Sequence, residues 1–410
     1  MTARTPMPRM LRDALFVAVV AVLTVQGLRR YLGDRYLVPS DSMQPLLYGD
    51  PVDGDVVLVD KLQSAAEQQR GDVVVVANPG LTGHQLVKRI AACGDDVGAC
   101  WIDIQKGDVW LGDDPQRMRR EVKAPRRAMA RSVLWASAGG DDDVGEGLDL
   151  TAARGQGPWT LPPIGEALAG VRAAFRPAAR RARHRDPEDG VLPTGAVGTD
   201  RPVNASYLDL CGKRSSYGGD VVVTDCGMRL AFSTPPATVL GTIDAPEFAV
   251  TMVWTPAANQ LEVWQDGRTV DTRRDVLAEA WDGTFTFGRL DGRDFALIGD
   301  SFEYVRAAPT TAAVPVVRTW LHVCVTGAGA AVFEELRVFR DLYAWRQPAL
   351  GVAGQPQSWP RFVPPGHWFL LGDNAFDSHD SRQFGPVPCE LFLGTPCCVL
   401  GPRARMRMLP

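Results

Sequence analysis

GDVVVVANPGLTGHQLVKRIAAC (Gly71–Cys93) decides the fold class. Two apolar runs rich in β-branched residues, Val73–Val76 and Leu86–Ile90, flank a segment of Asn, Pro and Gly. That pattern reads as two short strands joined by a turn rather than as helix. The preceding DVVLVDK (Asp55–Lys61) has the same character, and WIDIQKGDVWLGDD (Trp101–Asp114) reads as a hairpin around Lys106-Gly107-Asp108. With 41 Gly and 31 Pro in 410 residues, the chain favours turns and short strands, so a mainly β protein is expected.

The length predicts two or three domains with ample core. Hydrophobic content of 45% and charged content of 22% are those of a globular protein. A net charge of −4 points to neither nucleic acid nor an acidic partner. Five lysines (Lys61, Lys88, Lys106, Lys123 and Lys213) stand among 44 basic residues, so each invites an explanation.

At the N-terminus, Arg4, Arg9 and Arg12 precede an apolar run from Ala14 to Leu28, closed by Arg29 and Arg30. About 15 helical residues span roughly 22 Å, short of a roughly 30 Å hydrocarbon core. No small-x-small cleavage site ends the run. We therefore expect an uncleaved transmembrane anchor over 13–30 after a cytoplasmic stretch, 1–12, with flanking arginines snorkelling to the lipid bilayer surface. The segment 31–114 follows as the first part of a catalytic core.

From 115 to 201 the composition turns rich in Arg, Pro and Gly, which predicts a solvated connector whose basic runs suit anionic headgroups. Asp141–Asp143 lacks the rest of a calcium loop. From 202 to 346 short β-like runs alternate with Asp-Gly turns, as in EFAVTMVWTP and QLEVWQDGRTVDT. This predicts an inserted β-sandwich. Its pattern resembles lectin-like, concanavalin-type jelly rolls, which implies a carbohydrate or protein ligand or a scaffolding role. Residues 347–410 return to tight strands and polar turns.

The eight cysteines form no zinc-spaced double pair and the five histidines are scattered, so no metal and no cofactor is expected. Cys93 with Cys100, and Cys211 with Cys226, have the spacing of loop disulfides; free buried thiols fit the sequence equally well.

In VPSDSMQPLLYGD (Val38–Asp50), Ser40 and Ser42 stand in a Pro-bracketed loop. A serine needs a base to become a nucleophile at neutral pH, and neither a GxSxG elbow nor a Ser-His-Asp set offers itself. A lysine stripped of solvent is the alternative, because burial disfavours its charged form. Lys88 lies in an apolar strand that suits it; a surface lysine on an edge strand is the competing reading.

Taken together, these segments resemble the ordered boxes of type I signal peptidases, membrane-anchored Ser-Lys proteases. VPSDSMQPLLYGD is similar to the serine box, which makes Ser42, followed by Met43, the nucleophile and Ser40 the oxyanion helper. RGDVVVVANP resembles the next strand box. LVKRIAACGDD resembles the lysine box, with Lys88 as general base and Arg89 beside it. LLGDNAFDSHDSRQFGPV is similar to the last box: Gly372, Asp373 and Asn374 match its opening, and Ser378, Asp380, Ser381 and Arg382 its core. The resemblance implies that Ser378 orients the lysine amine and that Asp380 and Arg382 form a structural ion pair.

It implies further that signal peptides of exported preproteins are the substrates, and that the protein sits in the cell membrane with its catalytic domain on the trans side. Leu46 and Ala375-Phe376 depart from the usual residues of the boxes. The alternative is a membrane-tethered β-sandwich binding module with an inactive peptidase core. A self-cleaving repressor-type Ser-Lys protease fits less well, because the chain carries an anchor run and no DNA-binding helix pair.

Overall fold

The computed structural model describes residues 17, 20, 33–96, 100–123, 125, 133–138, 148–149, 159–161, 196–199, 201–204, 221, 223–245, 248–307, 319–327, 329–346 and 358–409. Its described part is mainly β and divides into two units: 1–103 with 110–119 and 346–410, and 104–109 with 120–345.

The first unit is built on an eight-stranded sheet. In spatial order it runs Gly33–Leu37, Val56–Asp60, Phe392–Gly401, Val73–Ala77, Gln85–Cys93, His367–Leu371 and Val387–Pro388, and Arg407–Met408 pairs with Phe392–Gly401. Side chains alternate along a strand, and Val73–Ala77 buries both of its faces. Val75 joins Val38, Met43, Leu47, Val57, Val59 and Val399 in one core cluster. Val74 and Val76 join Ile90, Cys93, Trp368, Leu370 and Val387 in another. This explains why the sequence gives an unbroken valine run instead of alternation. Gln85–Cys93 pairs with Val73–Ala77 on one side, Val74 opposite Lys88, and with His367–Leu371 on the other, Ile90 opposite Leu370.

The expected hairpin is present: Trp101–Gln105 and Asp108–Gly112 turn through Lys106 and Gly107 at φ 51° and 93°, the left-handed pair of a tight two-residue turn.

The second unit holds two antiparallel seven-stranded sheets. One centres on Cys226–Thr234, Ala331–Arg340, Thr284–Leu290 and Arg293–Ile298, the other on Thr238–Asp244, Ala249–Thr255, Gln260–Gln265 and Trp320–Thr326. Their faces meet where Gly241 of the second lies against the Phe287 ring of the first. Asp266-Gly267 and Asp291-Gly292, with positive φ at both positions, make the Asp-Gly turns read in the sequence.

One boundary differs from the expectation. The stretch 115–201, expected as a connector, contributes Val133–Ala138, Leu148–Asp149, Trp159–Leu161 and Val197–Thr199 to these sheets. Val133–Ala138 pairs with Ala331–Arg340, so the strands of the sandwich begin well before 202. These strands are two to six residues long, and Arg, Pro and Gly on either side dominate any composition average.

Among the described residues no helix is long and apolar enough to cross a membrane. The expected anchor over 13–30 lies outside them apart from Val17 and Val20, as do Asp141–Asp143 and Cys211. The described cysteines are free thiols, so Cys93 and Cys100 form no disulfide. Cys93 is packed in the core with Trp368, while the Cys100 thiol donates to the Gly112 and Asp113 carbonyls.

A Cβ at Gly241 would lie 2.3 Å from the Phe287 ring. Gly241→Ala is expected to cost about 1–3 kcal/mol by overpacking, read as a lower denaturation midpoint. An unchanged midpoint would mean that the sheets do not meet through this contact.

Candidate active site

The serine turn is Asp41–Met43, a short 3-10 turn entered through an extended Ser40. Met43, fully buried, anchors it in the core cluster with Val38 and Leu47. Leu47 N donates to the Met43 carbonyl at 2.9 Å, closing the loop behind the turn. Gly49 lets the returning chain pass, since a Cβ there would lie 1.8 Å from the Ser40 carbonyl oxygen. The turn therefore holds a half-buried Ser42 and an exposed Ser40 on a backbone fixed from beneath.

Lys88, in mid-strand and 3% exposed, places Nζ 2.6 Å from Ser42 Oγ, across 46 residues of sequence. Burial pushes its amine down to about 8, against the opposing pull of the Asp380 and Asp373 charges. Both carboxylates are committed elsewhere. Asp373 takes a two-pronged ion pair from Arg89, Nε to Oδ1 and Nη2 to Oδ2, each at 2.7 Å. Arg89 Nη1 also donates to the Gly71 carbonyl at 2.6 Å, tying the final box to the strand beside it.

Asp380 caps the short helix Ser381–Phe384 and accepts from Arg382 Nε and Nη2, both at 2.8 Å, and from Gly372 N at 2.9 Å. Arg382 is itself buried and reaches the Ala375 carbonyl at 2.6 Å. Asp380 and Arg382 thus form a closed, satisfied pair under the turn, the arrangement in which buried charges are tolerated.

Gly372 sits at the crowding point of the site. A Cβ there would fall 2.1 Å from Ser378 Oγ and 2.4 Å from the Ser42 carbonyl oxygen. Ser378 is buried, and its hydroxyl has no hydrogen-bond partner among the described residues, Lys88 included. Ser40 Oγ lies 3.4 Å from Ser42 Oγ, a long hydrogen bond.

Asn374 belongs to the last box, where the sequence suggests no role for it. In the structure its N donates to the Ser42 carbonyl and its Nδ2 to the Asp41 carbonyl, both at 3.2 Å, so the final box holds the serine turn directly. Arg361 lies outside the matched boxes. It donates to the carbonyls of Ser381 and Arg382 at 2.8 and 2.7 Å and lies over the Trp359 ring. Bonds to backbone carbonyls leave no pattern in sequence; only the aromatic company of Arg361 hinted at an ordered place.

In the second unit, carboxylate oxygens of Asp108, Asp225 and Asp291 lie within 4.8 Å of one another. Arg120 reaches Asp108 at 2.8 Å and Asp225 at 2.5 Å, and Lys123 pairs with Asp341. Burial pushes Asp108 up to about 7 and Asp291 to about 6. With two cations already among these carboxylates, the cluster is an ion-pair network.

Residues 11–137 and 339–400 match the family described as signal peptidase, peptidase S26. The chain is 40% identical over 83 residues to signal peptidase I of Aquifex aeolicus, covering 20% of this chain and 30% of that one. It is 37% identical over 84 residues to signal peptidase I of Mycobacterium tuberculosis, covering 19% and 29%. A third relative is mitochondrial inner membrane protease subunit 1 of Xenopus tropicalis, 49% identical over 41 residues, or 10% and 25% of the two chains. These alignments span less than a third of each relative's length.

Among solved structures, the Caenorhabditis elegans galectin LEC-6 has a TM-score of 0.22 at 11% identity, covering 36% of this chain and 99% of that one. The carbohydrate-binding module CBM66 of Bacillus subtilis has a TM-score of 0.23 at 6% identity, covering 35% and 86%.

The matched segments are similar to the signal peptidases of peptidase family S26. Within them, the chain resembles type I signal peptidases over about a fifth of its length.

Because burial sets the Lys88 pKa, it also sets a pH-dependent stability. The folded amine releases its proton near 8 and the unfolded one near 10.5. Between those values the unfolded chain binds the extra proton, so wild-type stability rises with pH and is lost as pH falls through 8. The stability difference between wild type and Lys88→Met is expected to shift by about 3 kcal/mol in favour of wild type across that window. Paired urea melts at pH 7.5 and 10.5 measure it; a difference that does not move with pH would mean a solvated lysine.

Proposed function

We propose that the protein is a membrane-anchored serine endopeptidase that removes signal peptides from exported preproteins, using Ser42 as nucleophile and Lys88 as general base. The observation that carries this reading is the 2.6 Å approach of a buried Lys88 amine to Ser42 Oγ. A neutral amine accepts the serine proton, and Oγ attacks the scissile carbonyl to form an ester. The lysine then gives that proton to the departing amine. Water, deprotonated by the same lysine, hydrolyses the ester and restores Ser42.

Ser42 N–H donates to no described residue and Ser40 Oγ stands beside Ser42 Oγ, so both are available to the developing oxyanion. Losing one such donor costs roughly 3 kcal/mol of barrier. Ser378, buried with an uncommitted hydroxyl in the same crowded corner, is the supporting group we assign to the lysine amine. Met43, Arg89, Asp373, Asp380 and Arg382 shape the site rather than take part in bond changes. The substrate binds as an extended strand along the sheet edge beside the turn.

The apolar run over 13–30 anchors the site near the bilayer, where signal-peptide junctions emerge. Confinement of both partners to one surface raises their effective concentration without new contacts. The N-terminus then lies in the cytoplasm and the catalytic unit on the trans side.

Co-expression with an exported preprotein tests the reading. Ser42→Ala and Lys88→Met are each expected to abolish processing, and the wild-type rate is expected to rise with pH through about 8 as the Lys88 amine loses its proton. Processing that survives both substitutions would overturn the Ser-Lys mechanism and leave the binding-module alternative standing.

A further inference from the structure

The loop that carries Ser42 is closed at its root by one residue, Asp55. Its carbonyl accepts from Val38 N at 2.8 Å, where the chain enters the loop, and its N donates to the Tyr48 carbonyl at 2.8 Å, where the chain leaves. Its carboxylate Oδ2 accepts from Tyr48 N at 3.1 Å. That side chain is fully buried, so its charge needs compensation inside the protein. Compensation comes from about 350 residues downstream.

Arg405 Nε donates to Asp55 Oδ1 at 2.7 Å, and its Nη2 donates to the Asp53 carbonyl. Its guanidinium lies over the Tyr48 ring, 4.4 Å from the centroid. Arg407 Nη2 donates to Asp55 Oδ2 at 3.3 Å and to the Leu46 carbonyl at 2.5 Å. The segment bearing both arginines is fixed in turn: Met408 pairs with Cys398, Leu409 N donates to the Cys397 carbonyl at 2.9 Å, and the Leu409 side chain packs on the cluster that contains Met43.

We propose that Arg405 and Arg407 are positioning residues for Ser42. By clasping Asp55 and the Leu46 carbonyl, they set the height of the serine turn against Lys88. The path is short: Arg407 holds Leu46, Leu47 holds Met43, and Met43 adjoins Ser42. A guanidinium is needed at both places, because each side chain serves a carboxylate and a backbone carbonyl at once. An ammonium is a point charge and lacks that fork. The proposal rests on the Ser-Lys reading for its catalytic consequence but not for its geometry.

The full chain in detergent, carrying Arg407→Lys or Arg405→Lys, tests it, with Arg403→Ala as control; Arg403 is exposed and in the same segment. Each lysine variant is expected to melt within about 4 °C of wild type yet lose about tenfold to a hundredfold in kcat on a signal-peptide substrate, with KM held within about twofold. Arg403→Ala is expected to match wild type. Lysine-selective 15N labelling follows Lys88 among only five wild-type lysines. The Lys88 midpoint is expected to rise from about 8 in the lysine variants as the turn lifts and water enters.

A kcat unchanged in both variants, or a loss that merely tracks the melting temperature, would overturn the proposal. If wild type cleaves nothing, the peptidase reading falls, and the Lys88 midpoint alone decides the positioning claim. A midpoint that stays put in both variants would then sink it.

Discussion

An amine held out of water beside a hydroxyl is the constraint around which the first unit is arranged. Lys88 shares its sheet face with Val74 and Ile90, and burial outweighs two nearby carboxylates in setting its proton affinity. That outcome depends on where Asp373 and Asp380 spend their charge. Each is locked into a two-pronged arginine pair, Arg89 with Asp373 and Arg382 with Asp380. Released from its arginine, either carboxylate would stabilise the charged lysine more strongly. The ion pairs therefore help to hold down the proton affinity of Lys88, although neither touches the serine.

The pieces of this site come from three distant stretches of chain, and the sheet brings them together. Gln85–Cys93 and His367–Leu371 are hydrogen-bonded neighbours despite more than 270 residues between them. Loop-closure entropy grows only with the logarithm of the intervening length, so inserting a large unit between paired strands costs little beyond what a long loop costs. Once the two strands pair, the turn after His367–Leu371 falls under the serine turn, and Asn374 takes hold of the Asp41 and Ser42 carbonyls.

Much of this could be read before any coordinates. The strands of the first unit announce themselves by valine runs and turn residues, whereas Ser42 and Lys88 stand out only through the resemblance to the signal peptidase boxes. What stayed hidden has a common physical character. Asn374, Arg361, Arg405 and Arg407 act through backbone carbonyls, which every residue offers and no residue type marks. The strands within 115–201 carry little signal because pairing with Ala331–Arg340 in one sheet and Trp320–Thr326 in the other stabilises segments too short to have a signal of their own. The suggested Cys93–Cys100 bridge rested on spacing, which is blind to one thiol facing a core and the other facing carbonyls.

The scarcity of lysine fits this picture. In the first unit, the described buried carboxylates Asp55, Asp103, Asp373 and Asp380 all pair with arginine, whereas the pair formed by Lys61 and Asp34 is partly exposed. A guanidinium keeps its charge when buried, and its fork serves a carboxylate and a carbonyl together. An ammonium buried without such a partner has its proton affinity lowered, whereas Lys123, paired with Asp341, has it raised. Structural cations in a dry core are thus best made of arginine, and a lysine placed there without a carboxylate of its own becomes a base. Lys88 occupies that position, and two arginines, Arg89 and Arg382, satisfy the nearby Asp373 and Asp380 that would otherwise hold its charge.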